Sequence, residues 1–100
     1  MKYGVLFPNN SIQNKFEKIL SKIHKSIQNE IIEAIEGLAD NPRSFGKRPF
    51  KKLKPPIQFY QFTAQYRIRI RDYRVLYDVD DAKKIVWILA LRKREEKTYK

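Results

Sequence analysis

The segment YRIRIRDYRVLYDVD, residues 66–80, constrains the fold more than any other part of this sequence. Tyrosine and isoleucine alternate with arginine in its first half, and a second alternation follows in its second half. Successive side chains of a strand point to opposite faces of a sheet, so the pattern predicts two antiparallel strands that turn near Arg71-Asp72. One face of this pair would be apolar, and the opposite face would carry Arg67, Arg69, Arg71 and Arg74.

The first forty residues predict a short strand followed by helix. Residues 2–7 (KYGVLF) favour a strand that ends at Pro8. Apolar residues then recur at spacings of three and four through residues 12–38, which is typical of an amphipathic helix. Ser11 is the expected N-cap, and a second N-cap at Ser26 would divide the stretch into a helical hairpin, which we favour over one long helix. The segment GLADNP, residues 37–42, ends the helical region.

The rest of the chain predicts an antiparallel meander. Residues 43–56 contain Pro and Gly without a clean period and are expected to form a basic loop, whereas residues 57–65 favour an edge strand or a short hairpin arm. Residues 84–91 (KIVWILAL) are apolar on both faces, as in a central strand. The expected architecture is a single α+β domain over residues 1–100: an N-terminal strand, a helical hairpin, and a three- to four-stranded antiparallel meander forming one sheet with helices on one face.

Positive charge is concentrated in one part of the chain. The net charge is +11, yet residues 1–42 carry five Lys and five acidic residues, whereas residues 43–74 carry ten Lys or Arg against Asp72 alone. Such a concentration predicts a surface that binds nucleic acid or an anionic protein; a merely solvated charge run is the alternative. Guanidinium groups fit phosphate oxygens with two parallel hydrogen bonds, so a phosphate is the ligand expected between clustered arginines.

Other kinds of site lack their residues. The chain has no Cys and a single His, His24, so we expect no metal and no cofactor. Asp78, Asp80 and Asp81 are better explained by a turn after a strand than by a cation site. The apolar run at 85–91 is too short to span a bilayer, and no signal peptide is evident, so the expected location is the cytoplasm with no membrane association.

The aromatic residues near the basic region allow two interpretations. Phe59, Tyr60 and Phe62 would either pack beneath a loop or edge strand, which we favour, or stack on nucleobases. Trp87 is expected to lie in the core.

Several motifs together resemble the RelE-like branch of the RelE/ParE superfamily of toxin–antitoxin toxins. YRIRIRDYRVLYDVDDAKKIVWILAL is similar to the family's strand, tight turn, tyrosine-arginine strand and final hydrophobic strand, and RKREEKTY is similar to its basic C-terminal motif. LADNPRSFGKRPFKKLK resembles the helix exit and basic loop, whereas PPIQFYQFTAQ is longer than the usual loop. The resemblance covers residues 43–99 and, more loosely, the whole chain.

The resemblance implies a small bacterial toxin that cleaves messenger RNA, usually in the ribosomal A site, and is inhibited by a cognate antitoxin. Operator DNA would be contacted only indirectly, through the antitoxin. The family's catalytic positions fall on Arg67, Arg69, Arg74, Arg94 and Tyr99. The basic residues expected to bind RNA around them are Lys51, Lys52, Lys54, Arg71, Arg92 and Lys93.

A metal-independent mechanism is consistent with these residues. The ribose 2′-OH would attack the adjacent phosphorus, with Arg74 and Arg94 stabilising the charge on the phosphorane oxygens. Arg67 and Arg69 would hold the phosphate, and Tyr99 would stack on a base or assist proton transfer. Arginine remains protonated at neutral pH, so the general base stays open among Lys52, Lys54, Lys93 or a tyrosine. Two rival functions are a ParE-like gyrase poison and a non-catalytic nucleic-acid-binding module.

Overall fold

One five-stranded sheet and two helices make up the computed structural model, which describes residues 2–43, 50–59 and 61–93. The sheet order is β1-β5-β4-β3-β2; β1 runs parallel to β5, and the other neighbours are antiparallel. The predicted α+β architecture with a helical hairpin is confirmed. The elements are β1 (Gly4–Leu6), α1 (Asn10–Leu20), α2 (Lys25–Gly37), β2 (Phe50–Phe59), β3 (Phe62–Ile70), β4 (Tyr73–Asp80) and β5 (Ile85–Lys93).

Both helix starts differ from the predicted caps. The side chain of Asn9 accepts a 2.9 Å hydrogen bond from the amide of Ile12, so α1 begins before Ser11. His24 caps α2, and the amide of Ser26 is the donor to its ring instead of Ser26 being the cap. Asparagine satisfies the free amides of a first turn as well as serine does, and the sequence offers both within three positions.

The sheet face against which α2 packs, here called the front face, forms the main core together with residues of both helices. Ile31 and Leu38 from the α2 region are fully buried, and they pack with sheet residues whose front-facing side chains form one continuous cluster. Those sheet residues are Ile68, Ile70, Val75, Tyr77, Val86, Ile88 and Leu91. Full burial of each such side chain contributes about 1.5–3 kcal/mol, so this face accounts for most of the packing energy of the domain.

Tyr77 joins the helix exit to the sheet at the centre of this core. Its ring is fully buried and stacks on Tyr66 with centroids 5.7 Å apart, and its hydroxyl donates a 2.6 Å hydrogen bond to the carbonyl of Pro42. Burial raises the pKa of Tyr77, so the phenol stays protonated and remains a donor. The chain leaving α2 is thereby fixed against β3 and β4.

A second network on the surface holds the same region. Arg43 donates to both oxygens of Asp81, at 2.9 and 3.3 Å, and to the hydroxyl of Tyr66 at 3.1 Å. The hydroxyl of Tyr3 donates to Asp81 at 2.6 Å. Arg43 therefore connects the helix exit to the β4–β5 turn, although the sequence placed it in a basic loop with no structural role.

The loop predicted over residues 43–56 is wrong for residues 50–56, which belong to β2. This edge strand pairs with β3, and its register breaks between Lys52 and Ile57, where Pro55 and Pro56 have no N–H to donate. Lysines are common on exposed edge strands because their charge discourages pairing with another chain. Three of residues 50–54 are exposed lysines, Lys51, Lys52 and Lys54, and they hide the alternation of apolar and polar residues that identifies a strand.

The tip of the β2–β3 hairpin, residues 57–59 and 62–64, covers part of the back face, the side of the sheet opposite α2. β3 pairs with β4 only along residues 66–70, so the tip is free to leave the sheet. Ala64 at the tip is fully buried and packs with Leu76, Leu89 and Ile12 of α1 in a second cluster, so α1 contributes to both clusters; Phe59 and Phe62 are half-buried against the second one. The predicted packing role of these two phenylalanines is confirmed; Tyr60 lies outside the described residues. Trp87 is half-buried beside the same cluster.

Replacing Tyr77 with Phe should lower the free energy of unfolding by about 1–3 kcal/mol. The variant keeps the ring but leaves the buried carbonyl of Pro42 without its donor. Urea unfolding followed by fluorescence measures the change. Tyr73→Phe is the matched control, since no hydrogen bond of its hydroxyl is recorded within the described residues; an equal loss in both variants would contradict the role of the Tyr77 hydroxyl.

Acid should remove the contribution of Asp81. Hydrogen bonds from Arg43 and Tyr3 lower the pKa of Asp81 from 3.8 to about 2. A lowered folded-state pKa means that the stabilisation is complete above the unfolded-state value and disappears as the pH falls through the folded-state value. The difference in unfolding free energy between the wild type and Asp81→Asn should therefore stay constant near neutrality and narrow from about pH 4 to about pH 2. A difference independent of pH would contradict this.

Candidate functional site

Four arginines of the back face come together beyond the area that the hairpin tip covers. Arg69 lies opposite Arg74 across β3 and β4, and Arg74 lies opposite Arg92 across β4 and β5, so these three form one row. Directly opposed residues have Cβ atoms about 5 Å apart. Arg67 stands one pair further along β3, with Lys51 of β2 opposite it. We call the surface formed by Arg67, Arg69, Arg74 and Arg92 the arginine face.

A β-bulge at Leu89 brings Arg92 into this row. β4 pairs Leu76 with Ala90 but Tyr77 with Ile88, so β5 contains one extra residue. The bulge reverses the alternation of β5: Val86 and Ile88 face the front core, and beyond the bulge Leu91 does so while Arg92 points to the back. If the same residues formed a regular strand without the bulge, Arg92 would lie on the front face with Val86 and Ile88.

The arginine face carries charge without compensating acids. Within the described residues none of its four arginines forms an ion pair, and the buried Nη1 of Arg67 and Nε of Arg74 have no hydrogen-bond partner. Burial, and then the charges of Arg74 and Arg69, lower the pKa of Arg67. Buried polar groups are normally hydrogen-bonded, so these two guanidinium nitrogens on neighbouring strands are donors that an anion would satisfy.

Arg71 lies apart from the arginine face, contrary to the alternation that grouped it with Arg67 and Arg69. It occupies the β3–β4 turn with φ of 55°, a left-handed conformation usual for glycine. Its guanidinium donates to Glu30 of α2 at 2.8 and 3.0 Å, on the helix side. The predicted turn at Arg71-Asp72 is confirmed, and the turn itself redirects the Arg71 side chain.

Of the other predicted site residues, three are exposed lysines and two lie outside the described residues. Lys52 and Lys93 are exposed and pair with Tyr66 and Tyr73, so they follow the front-facing alternation, and Lys54 is exposed at the break in β2. Arg94 and Tyr99 lie outside the described residues. The structure thus brings together Arg67, Arg69, Arg74, Arg92 and Lys51.

The remaining polar candidates have structural positions. His24 is exposed at the turn between the helices, Asp80 accepts from the amide of Lys83, and Asp81 pairs with Arg43. Within the described ranges no three His, Cys, Asp or Glu residues are grouped so as to hold a metal ion, and no helix there is long and apolar enough to cross a membrane.

Comparison with known families decides the relationship. The family model described as ParE toxin of type II toxin-antitoxin system, parDE, matches residues 8–98. The chain belongs to this toxin family. A search of curated proteins found no match.

Solved structures place the toxin with the RelE-like members of the RelE/ParE superfamily, as the sequence motifs predicted. The archaeal RelE–RelB complex from Pyrococcus horikoshii OT3 is 27% identical with a TM-score of 0.73, covering 97% of this chain and 100% of that one. The toxin–antitoxin complex RelBE2 from Mycobacterium tuberculosis is 25% identical with a TM-score of 0.63, covering 94% and 93%. Isolated RelE toxin from E. coli shares the fold at 17% identity, with a TM-score of 0.54, covering 95% and 87%.

Replacing Arg67 of the toxin with Met should raise the free energy of unfolding by about 0.5–2 kcal/mol at low salt, a gain typical of relieved functional sites. The change removes a partly desolvated charge beside two like charges. Added salt screens the repulsion in the wild type and should reduce the gain. Arg71→Met is the control. It removes the ion pair with Glu30, so it should lower the free energy of unfolding. Destabilisation by Arg67→Met would show that the arginine face is not strained.

Proposed function

We propose that this toxin is a ribosome-dependent endoribonuclease that cleaves messenger RNA by metal-independent attack of a ribose 2′-OH on the adjacent phosphorus. The observation that supports it best is the arginine face, where Arg69, Arg74 and Arg92 stand side by side and two buried guanidinium nitrogens lack partners. A phosphodiester there would accept hydrogen bonds from the Nη1 of Arg67 and the Nε of Arg74, which no described residue accepts, whereas the Nε of Arg69 donates to the carbonyl of Arg71 at 3.0 Å.

Arg74 has the central role in the proposed reaction. It stands between Arg69 and Arg92 in the row, and its charge also acts on Arg67. A phosphate bound over Arg74 therefore has positive charge on both sides. Negative charge grows on the phosphorane oxygens as the 2′-oxygen attacks, and donors already in place stabilise that charge without reorganising. Arg67 and Arg69 hold the ground-state phosphate, and by resemblance Arg94 and Tyr99 complete the set.

The general base lies outside the four arginines. A guanidinium stays protonated, and the lowered pKa of Arg67 does not change that at neutral pH. Of the lysines near the site, Lys51 lies opposite Arg67 on the back-face alternation, whereas Lys52 and Lys93 do not. We therefore propose Lys51 as the base, and the ribosome supplies the orientation that a weak base requires.

A cognate antitoxin is the proposed inhibitor in the cytoplasm. The two most similar structures cited above are complexes of a toxin with its antitoxin. An acidic segment that folds on contact would neutralise the arginine face and exclude RNA from it. Contact with operator DNA would then pass through the antitoxin alone.

Gyrase poisoning is the second candidate, because the matching family model is named for ParE. A protein that binds gyrase through a surface has no chemical need for clustered, partly buried arginines without acidic partners. Such a cluster costs stability, and phosphate binding explains its presence. This consideration favours the ribonuclease.

Inducible expression of the wild type and Arg74→Ala tests the proposal. Wild-type expression should arrest growth and produce codon-phased messenger RNA 5′ ends, and Arg74→Ala should reduce those ends about 100-fold or more. Lys83→Ala, which removes one charge from the exposed β4–β5 turn, should behave as wild type.

Gyrase-linked DNA breaks are mapped in the same cells. Breaks with intact transcripts would establish the gyrase poison and overturn the ribonuclease. Neither product, with RNA binding retained by the purified chain, would establish a non-catalytic module.

A further inference from the structure

A cavity of about 480 Å³ lies between α1 and the hairpin tip, beside Arg92. Its apolar wall comes from Ile12, Phe16 and Ile19 of α1, and its opposite wall comes from Phe59 of the tip. Ile19 is 40% exposed, an unusual exposure for a large apolar side chain. The volume and the mainly apolar lining match those of small-molecule sites, which measure about 300–1,000 Å³.

Phe59 and Arg92 connect this cavity to the arginine face. The guanidinium carbon of Arg92 lies 4.8 Å from the centroid of the Phe59 ring, and both side chains line the cavity. Arg92 also stands opposite Arg74 in the row. The cavity therefore lies one strand away from a phosphate bound at Arg74.

We propose that this cavity is a nucleobase subsite, in which a base next to the bound phosphate stacks against Phe59 and Arg92. Gln58 lies at the same edge; its amide nitrogen can donate to the base, and its oxygen, which accepts from the Thr63 hydroxyl at 3.3 Å, has a second lone pair for the base. The inference rests on the proposed function, because it takes RNA as the ligand of the arginine face. It assigns to the β2–β3 hairpin a part in choosing the sequence that is bound.

The chemistry of the lining favours a base over an apolar peptide side chain. Aromatic rings and guanidinium planes are the surfaces on which proteins stack unpaired bases, and here the two occur together. A flat ring with polar edges uses the apolar wall of α1 and the Gln58 amide at once.

Nuclear magnetic resonance of the full, isotope-labelled chain tests the subsite without ribosomes or cleavage. The probes are AMP, GMP, CMP and UMP, with ribose 5-phosphate as the ligand that has no base. Nucleotides should shift the signals of the arginine face and, in addition, the amides of residues 58–59 and 89–91 and the side-chain amide of Gln58. Ribose 5-phosphate should shift only signals of the arginine face.

Phe59→Leu should weaken nucleotide binding about tenfold and leave ribose 5-phosphate binding unchanged, because it removes the stacking ring but keeps apolar volume. Phe62→Leu is the matched control: Phe62 packs at the same tip but does not line this cavity. Thermal unfolding of both variants checks that the hairpin is intact. Equal effects of the two variants, or nucleotide shifts identical to those of ribose 5-phosphate, would overturn the subsite.

Two further outcomes separate this inference from the proposed function. Base-dependent shifts in a chain that cuts no transcript would support the subsite while the ribonuclease proposal fails. Normal cuts whose neighbouring bases are unchanged by Phe59→Leu would support the ribonuclease and count against the subsite. If an acidic, apolar peptide moves these signals and the nucleotides do not, the cavity is a protein-docking groove and the proposal is wrong.

Discussion

The extra residue at Leu89 is the constraint on which the site depends. A regular β5 would place residues 86, 88, 90 and 92 on one face, and Arg92 would then enter the apolar front core. The bulge lets Val86 and Leu91 both face the helices while Arg92 joins Arg74 on the back. One inserted residue thus satisfies the core on both sides of the bulge and completes the row of charges.

The fold tolerates the repulsion among the arginines because packing on the front face stabilises it. The four guanidiniums of the arginine face repel one another, and two of their buried nitrogens lack partners within the described chain. The opposing stability comes from the packed front core and from Tyr77, which joins the sheet to the helix exit through Pro42. Proteins commonly carry such local cost at functional sites, where a ligand relieves it. The two faces of the sheet therefore have separate physical tasks.

Strands and helices with a regular residue period were predicted correctly from the sequence. Features that depend on a break in that period were not. Alternation placed Arg67, Arg69 and Arg74 on one face, and helical spacing predicted the hairpin of helices. Arg92 was predicted as an RNA-binding residue from its place at the end of the last strand, but its position opposite Arg74 depends on the bulge, which no residue pattern in β5 indicates. The turn redirected Arg71 to Glu30, a partner 41 positions away in the chain. The prolines of β2 removed the ladder donors that mark a strand, so that strand was predicted as a loop.

The hairpin tip shows how a local departure changes what a shared sheet can recognise. Because β3 separates from β4 before residue 66, the tip can fold over the back face and bury Ala64 against Leu76. That fold carries Phe59 to Arg92, at the end of the arginine row. A conventional short loop at this point would leave the row open to solvent along that side. The longer segment instead gives the row an apolar neighbour, so phosphate contact and base contact fall on adjoining surfaces.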